Sequence, residues 1–458
     1  MKIYQHQAKY LTLREDYHKF YFESIEIQRE TDKVSATFHF HIDDRFHFRP
    51  QISLLFNKIG DEILLSDEEL YDLFFHCGMV ELISYWKSSC TPRVIVKTHH
   101  LDDQQIQWWK KLYFQGLGEF FYINGIETTP NDFMQIIPEG IAAGKIENHK
   151  PDSNRFIVPI GGGKDSPVTL ELLKNAGYDV LPLIINPRGA TVNTLIAAGL
   201  PEDYFIKIER KIDPQLLKMN NEGFLNGHTP FSAMLAFYTL ISAIITNSKY
   251  IALSNESSAN ESTVKGSDVN HQYSKSFEFE QDFRQYYQKY IETETEYFSF
   301  LRPISELQIA SLFAKMKAYH PIFRSCNVGS KEDKWCGYCP KCLFAAIIIS
   351  PFLRPDEVQQ IIGRDILNDE NMRSYLDELS GKKEVKPFEC VGTTDEVNLA
   401  LSATKDVFIK QEKDLPQLLK DIKSVSAEAF QSALQEWNTQ HNLPAKPEII
   451  LKDALGIK

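Results

Sequence analysis

The feature that most constrains the fold is a run of three glycines set between a short apolar stretch and a helix-forming one. FIVPI (156–160) leads directly into Gly161-Gly162-Gly163-Lys164-Asp165-Ser166, and PVTLELLKNAG follows. Glycine adopts positive φ at little cost, so such a bend turns a buried strand into a helix with its first N–H groups exposed. Those groups, at the positive end of the helix, form a cradle for an oxyanion. The apolar runs DVLPLII (179–185), YFIKI (204–208) and YIALS (250–254) recur downstream. Helices are predicted over 166–176, 192–199 and 230–247. Strands alternating with helices predict an α/β fold built on a doubly wound parallel sheet, with ligands at the carboxyl ends of the strands.

The flanks read differently. Residues 1–150 mix strand and helix signals and predict an N-terminal α+β domain. Val34, Ala36, Phe38, Phe40 and Ile42 alternate with polar residues, as a half-buried strand requires, which puts His39 and His41 on its polar face. Ser66 and Glu69 predict a capping box ahead of a helix carrying Leu70, Leu73, Phe74 and Cys77. The loop and its strands fall in a second domain, 151–353, and the remainder, 354–458, predicts a mainly helical region. Gly223 to Ser248 is uncharged, but its apolar run, Phe231 to Thr246, is shorter than the about 18 to 20 residues of a membrane span. Ser232, Thr239, Ser242 and Thr246 mark one mildly polar stripe on that helix.

Charge narrows the function classes. The 50 Lys and Arg against 62 Asp and Glu leave a net −12, a field that disfavours nucleic-acid backbones while leaving room for a small anion in a local nest. The opening segment, MKIYQHQAKYLTLRED, has charges where a secretory signal needs an apolar core, so a cytoplasmic location is expected. Of seven cysteines, Cys326, Cys336, Cys339 and Cys342 crowd into a C-x9-C-x2-C-x2-C pattern. In a cytosolic chain that clustering points to metal rather than disulfides. Four thiolates close a tetrahedron without an open position, which favours structural zinc, with an iron–sulfur cluster or free thiols as the alternatives.

The loop is neither a Walker A sequence nor GxGxxG. It resembles the SGGxDS signature of PP-loop ATP pyrophosphatases: Gly162, Gly163, Asp165 and Ser166 match, and Gly161 stands where the first serine is usual. The resemblance implies an adenine nucleotide alpha hydrolase-like fold that binds ATP and cleaves it between the α and β phosphates. It implies Mg2+ at Asp165 and pyrophosphate at Ser166, with Gly161 and Lys164 in the same cradle. It also implies nucleotide contacts around Arg188, after the second strand, and around Asn255 and Glu256, after the fourth. The four cysteines and Asn226 to Phe231 are similar to the 7-cyano-7-deazaguanine synthases of that group.

A longer resemblance covers the flanks. Asn255 to Glu261, Val269 to Ser276 and Lys386 to Thr393 resemble the ATP-dependent UDP-N-acetyl-α-D-muramoyl-L-alanyl-L-glutamate epimerases of bacterial wall synthesis. That resemblance implies a UDP-linked muramyl dipeptide as substrate and inversion of its terminal glutamate, with AMP and diphosphate released. Inversion needs groups that handle a proton. His271 is a candidate acid or base because its ordinary pKa lies near neutrality, and Lys275 shares its face if the segment is helical. The pair reads equally as a binder of phosphate or carboxylate. Cys390 is a third candidate, either a reactive thiol or an inert buried one. Thr393 and Glu396 predict a capping box whose helix start offers N–H groups to an anion. Two other readings stay open: a PP-loop ligase of the deazaguanine type, and a zinc-stabilised enzyme that modifies tRNA.

Overall fold

A computed structural model describes residues 2–56, 59, 63–142, 144, 146, 149, 151–266 and 269–457. The chain folds into two compact units, each discontinuous in sequence. The first comprises Met1–Asn154, Phe205–Ile251 and Asp268–Tyr297, and the second Arg155–Tyr204, Ala252–Ser267 and Phe298–Lys458. Both mix helices and strands, so the chain is mixed α/β.

Nine strands matter here: β1 (Lys19–Arg29), β2 (Lys33–Ile42), β3 (Phe46–Phe48), β4 (Gln51–Leu55), β5 (Arg93–Val96), β6 (Gln135–Pro138), β7 (Asp152–Pro159), β8 (Asp179–Ile185) and β9 (Ile206–Lys211). In the first unit β1 pairs antiparallel with β2 and parallel with β5, and β6 adds parallel to β5. On the other side β2 pairs antiparallel with β3 and β4. The expected alternation in β2 is present: Val34, Ala36, Phe38, Phe40 and Ile42 are all buried. His39 and His41 lie on the opposite face, within salt-bridge distance of Glu26 and Glu23.

The helix Asp67–Trp86 lies against β1. The Ser66 and Glu69 capping box forms as expected, and fifteen of the helix's twenty residues are buried. Gly78 allows the close approach, since a Cβ there would sit 2.2 Å from Phe22 Cζ. The helix Phe231–Ile245 packs on Asp67–Trp86. At fifteen residues it is about 22 Å long. Among the described residues no helix is long and apolar enough to cross a membrane. Three of its stripe's hydroxyls are satisfied within the helix: Thr239, Ser242 and Thr246 donate to the carbonyls of Ala236, Tyr238 and Ser242. Backbone carbonyls thus take up much of their polarity, and Thr246 Oγ1 also lies 2.8 Å from Ser248 Oγ.

In the second unit β7 pairs parallel with β8, and the helices Asp165–Asn175 and Gly189–Ala197 follow them, within three residues of the expected limits. The third apolar run departs from the expectation. It begins at Ile206 rather than Tyr204, continues to Lys211, and pairs antiparallel with β4 of the first unit. An apolar alternation of this kind fits either pairing direction, because only partner contacts set the register. Beyond residue 354 the chain is mainly helical, with Thr394–Lys410 its longest helix. Pro340–Ile349, nearly all apolar, packs between that helix and Glu306–Phe313.

Candidate active site: a glycine loop, a carboxylate cluster and a thiol knuckle

The glycine loop leaves β7 and enters the helix Asp165–Asn175 without a side-chain cap, so that helix's first N–H groups have no side-chain oxygen to accept them. Gly162 takes φ +83°, a left-handed conformation that only glycine adopts cheaply, and a Cβ there would press on Ala190 at 3.0 Å. Gly161 faces open space, with nothing within 4 Å of where its Cβ would stand. Arg188 Nη2 donates to the Gly161 carbonyl at 3.3 Å, and the Arg324 N–H donates to Gly162 O at 2.7 Å. Ser166 is 5 % exposed, and its Oγ is buried without a hydrogen-bond partner among the described residues. Such a hydroxyl is costly unless a ligand oxygen completes it.

Beside the loop lies a buried group of charges. Lys164 is 5 % exposed, and its ammonium pairs with both Asp165 and Glu306. Burial opposes the Lys164 charge, yet those two carboxylates outweigh burial and hold the ammonium above its ordinary range. Asp165, Glu256 and Glu306 each bring one carboxylate oxygen within 4.8 Å of the others. Glu396 closes the set: one of its oxygens accepts the Glu306 N–H at 2.7 Å and the other the Thr393 N–H at 2.6 Å. The Thr393 capping box is therefore present, but its glutamate is turned into this cluster. Burial first, then the like charges of Asp165, Glu256 and Glu396, push the Glu306 carboxyl well above the usual carboxylate range despite Lys164. The converging oxygens of Asp165, Glu256 and Glu306 are a donor set that suits a hard divalent cation.

The thiols converge as their spacing implies. Sγ–Sγ separations are 3.8 Å for Cys326 and Cys339, 3.6 Å for Cys336 and Cys342, and 3.4 Å for Cys339 and Cys342. Zinc–sulfur bonds of about 2.3 Å in a tetrahedron require sulfurs about 3.8 Å apart. Backbone N–H groups of Gly329, Gly337 and Tyr338 point at Cys326, Cys342 and Cys336, the arrangement that stabilises thiolate charge. The knuckle is tied to the glycine loop through its own flank. Arg324 bonds Gly162, a Cβ on Gly163 would stand 3.0 Å from Ser325 Oγ, and the Asp333 carboxylate accepts the Ala190 N–H at 2.8 Å.

Of the other expected residues, Asn255 donates to Ser299 Oγ at 3.1 Å, and Glu256 accepts from Ser258 Oγ at 3.1 Å. Cys390 is half-buried in the second unit. His271 and Lys275 lie in the first unit. A 3-10 turn, Tyr273–Lys275, follows His271, so no α-helix puts the two on one face. Instead His271 Nδ1 bonds the Glu119 carboxylate, and His228 Nδ1 lies 3.5 Å from the same oxygen. Glu306 and Glu119 stand outside the motifs of the sequence. Glu306 carried one legible signal, a charge inside the apolar run of PISELQIASLF; Glu119 carried none.

Two family models match the chain: the MurL N-terminal domain over residues 12–300 and the MurL C-terminal domain over 322–435. Three relatives bear the name UDP-N-acetyl-alpha-D-muramoyl-L-alanyl-L-glutamate epimerase. The Micromonospora protein is 34% identical over 362 residues, covering 77% of this chain and 78% of the relative. The Xanthomonas oryzae protein is 33% identical over 70% of this chain and 71% of its own. The Salinispora tropica protein is 33% identical over 70% of each. Both halves of the architecture are covered by these matches, and the chain therefore belongs to the MurL family of UDP-N-acetyl-α-D-muramoyl-L-alanyl-L-glutamate epimerases, which are isomerases.

Proposed function

We propose that this chain inverts the terminal L-glutamate of UDP-N-acetylmuramoyl-L-alanyl-L-glutamate in a reaction driven by ATP, on a PP-loop fold, in the cytoplasm where both nucleotides are found. A free carboxylate resists loss of the neighbouring hydrogen, because the carbanion would place a second negative charge beside the first. Transfer of AMP to that carboxylate removes the charge and lets the C–H electron pair spread into the acyl group, so a base of ordinary strength suffices. Reprotonation from the opposite face and hydrolysis then release the D-glutamyl product, AMP and diphosphate.

The observation that carries the reading is the buried, unpartnered Ser166 hydroxyl beside the uncapped helix start after Gly161, Gly162 and Gly163. In this reading those N–H groups and Ser166 hold the departing pyrophosphate, and Arg188, bonded to the same loop, contacts the nucleotide. Asp165, with Glu256 and Glu306, suits Mg2+, which when bound neutralises the charge of the leaving pyrophosphate. Lys164 pairs with two of these carboxylates, Asp165 and Glu306. Asn255, fixed through Ser299, borders the same segment as Glu256. Cys326, Cys336, Cys339 and Cys342 suit a structural Zn2+ that anchors the flank of the loop. For the proton step we place His271, whose ring is held by Glu119, ahead of Lys275 and Cys390.

The test is product analysis. With the L-glutamyl substrate, ATP and magnesium, AMP and D-glutamate should form together. ADP as product, or unchanged chirality, refutes the reading.

A further inference from the structure

Glu119, His228 and His271 come from three separate stretches of the first unit: the short helix Gly118–Ile123, the segment before the helix Phe231–Ile245, and the turn before Tyr273–Lys275. One ligand atom from each lies within 4.8 Å of the others. Both rings turn Nδ1 toward a single carboxylate oxygen, Glu119 Oε2, and their centroids are 4.5 Å apart. His271 Nδ1 bonds that oxygen, while His228 Nδ1 stands 3.5 Å from it, long for a hydrogen bond. Metal bonds of about 2.0 to 2.1 Å in a tetrahedron put ligand atoms about 3.3 Å apart, so the His228 spacing is close to that of two ligands sharing one ion.

The surrounding chain fixes the three. Asn124 Nδ2 donates to the carbonyls of Phe120 and Asn226, at 2.9 and 3.1 Å, which ties the helix of Glu119 to the segment of His228. A Cβ on Gly227 would stand 3.1 Å from Phe120 Cδ2, so glycine lets the two stretches approach. The buried Lys87 pins the same segment, its ammonium bonded to Gly227 O. The turn at His271 is closed by Asn270, whose side-chain oxygen accepts the Gln272 N–H at 2.7 Å and whose carbonyl accepts the Tyr273 N–H at 3.1 Å. Donors held by their supports in this way need little reorganisation to bind. The side chains of Glu119, His228 and His271 are 11%, 22% and 14% exposed, which leaves an ion a way in.

We propose that Glu119, His228 and His271 bind a divalent transition-metal ion of the zinc class, through Glu119 Oε2 and the two Nδ1 atoms. Imidazole nitrogen selects such an ion over magnesium, which suits the all-oxygen set of Asp165, Glu256 and Glu306. Three protein ligands leave one position for water or another oxygen ligand, whereas four thiols close theirs. The ion takes the place of the proton between Glu119 and His271, which moves to Nε2, so the His271 ring still has a proton to give. The site stands apart from the epimerase reading, and either can fail alone.

The test uses the full-length protein, stripped by a chelator and titrated with Co2+ in excess magnesium, which occupies the carboxylate cluster. Cobalt on thiolates has an intense charge-transfer band in the near ultraviolet, and cobalt on nitrogen and oxygen has only weak visible bands. Wild type should bind two ions, one with each signature. His228→Gln and His271→Gln should keep the charge-transfer band and bind the second ion about 100-fold more weakly or worse, since a lost ligand costs at least as much as a lost supporting residue. His228→Cys should take the second ion up again, with a second charge-transfer band that grows in step with it. Hydrogen exchange over Phe231–Ile245 reports that each variant is folded. A single ion in wild type, a second ion held equally well by both glutamine variants, or a second ion without charge transfer in His228→Cys would each overturn the proposal. None of these readouts depends on turnover, so a failure of the epimerase reading would leave them standing.

Discussion

Replacing Lys164 by methionine tests the charge arrangement beside the glycine loop. The side chains of Lys164 and Glu306 are 6% and 5% exposed, and the ammonium is also paired with Asp165. Removing one partner of a buried pair costs about 3 to 5 kcal/mol, since the other charge is left without compensation. Two features set the lower end of that range. Asp165 is 32% exposed and can turn to water, and Glu306, already displaced upward, can take a proton. An acid whose folded pKa lies above its unfolded value is destabilising as pH rises between the two, because unfolding releases the proton. The variant should therefore lose about 3 kcal/mol at pH 8 and less at pH 6, where Glu306 takes up a proton more readily. Amide hydrogen exchange over Asp165–Asn175 and Glu306–Phe313 measures the loss locally. Magnesium binding only the folded form should restore about 2.7 kcal/mol at a hundred times its dissociation constant. A loss below about 1 kcal/mol, or one equal at both pH values, would refute the reasoning.

Three other perturbations have definite outcomes. Ser166→Ala removes a buried hydroxyl without a partner, so stability should rise by about 1 kcal/mol while pyrophosphate exchange falls; the reverse pattern would mean that Ser166 serves the fold alone. Cys339→Ser, or full removal of metal by a chelator, should expose the Arg324 amide that bonds Gly162 and weaken ATP binding, as hydrogen exchange and titration would show. Unchanged ATP affinity in the metal-free protein would separate the knuckle from the loop. Burial, then His99, lowers the pKa of His76 to about 3. Between its ordinary 6.5 and that value the unfolded chain binds a proton that the fold refuses, so stability falls as pH falls. His76→Asn should remove about 2 kcal/mol of the decline between pH 7 and pH 5, measured by chemical unfolding followed by tryptophan fluorescence.

What the sequence disclosed depends on how local the cause is. The bend at Gly161 to Gly163, the capping boxes at Ser66 and Thr393 and the tight cysteine spacing are written within a few residues, and each formed as expected. Glu306 meets Lys164 across 142 positions, and Glu119 meets His271 across 152. Nothing in the neighbours of either glutamate encodes such a meeting, which only the packed chain brings about. The third apolar run fell between these cases. Its residues foretold a strand, but its antiparallel partner, Gln51–Leu55, lies more than 150 residues upstream.

The chain returns to the first unit twice after leaving it, at Phe205 and again at Asp268. Neither unit can therefore be cut out with one break, and a ribosome must deliver residue 297 before the first holds all its parts. Most of the second emerges afterwards, so a truncation beyond that point should spare the earlier-made body, whereas a nonsense codon before it should ruin both.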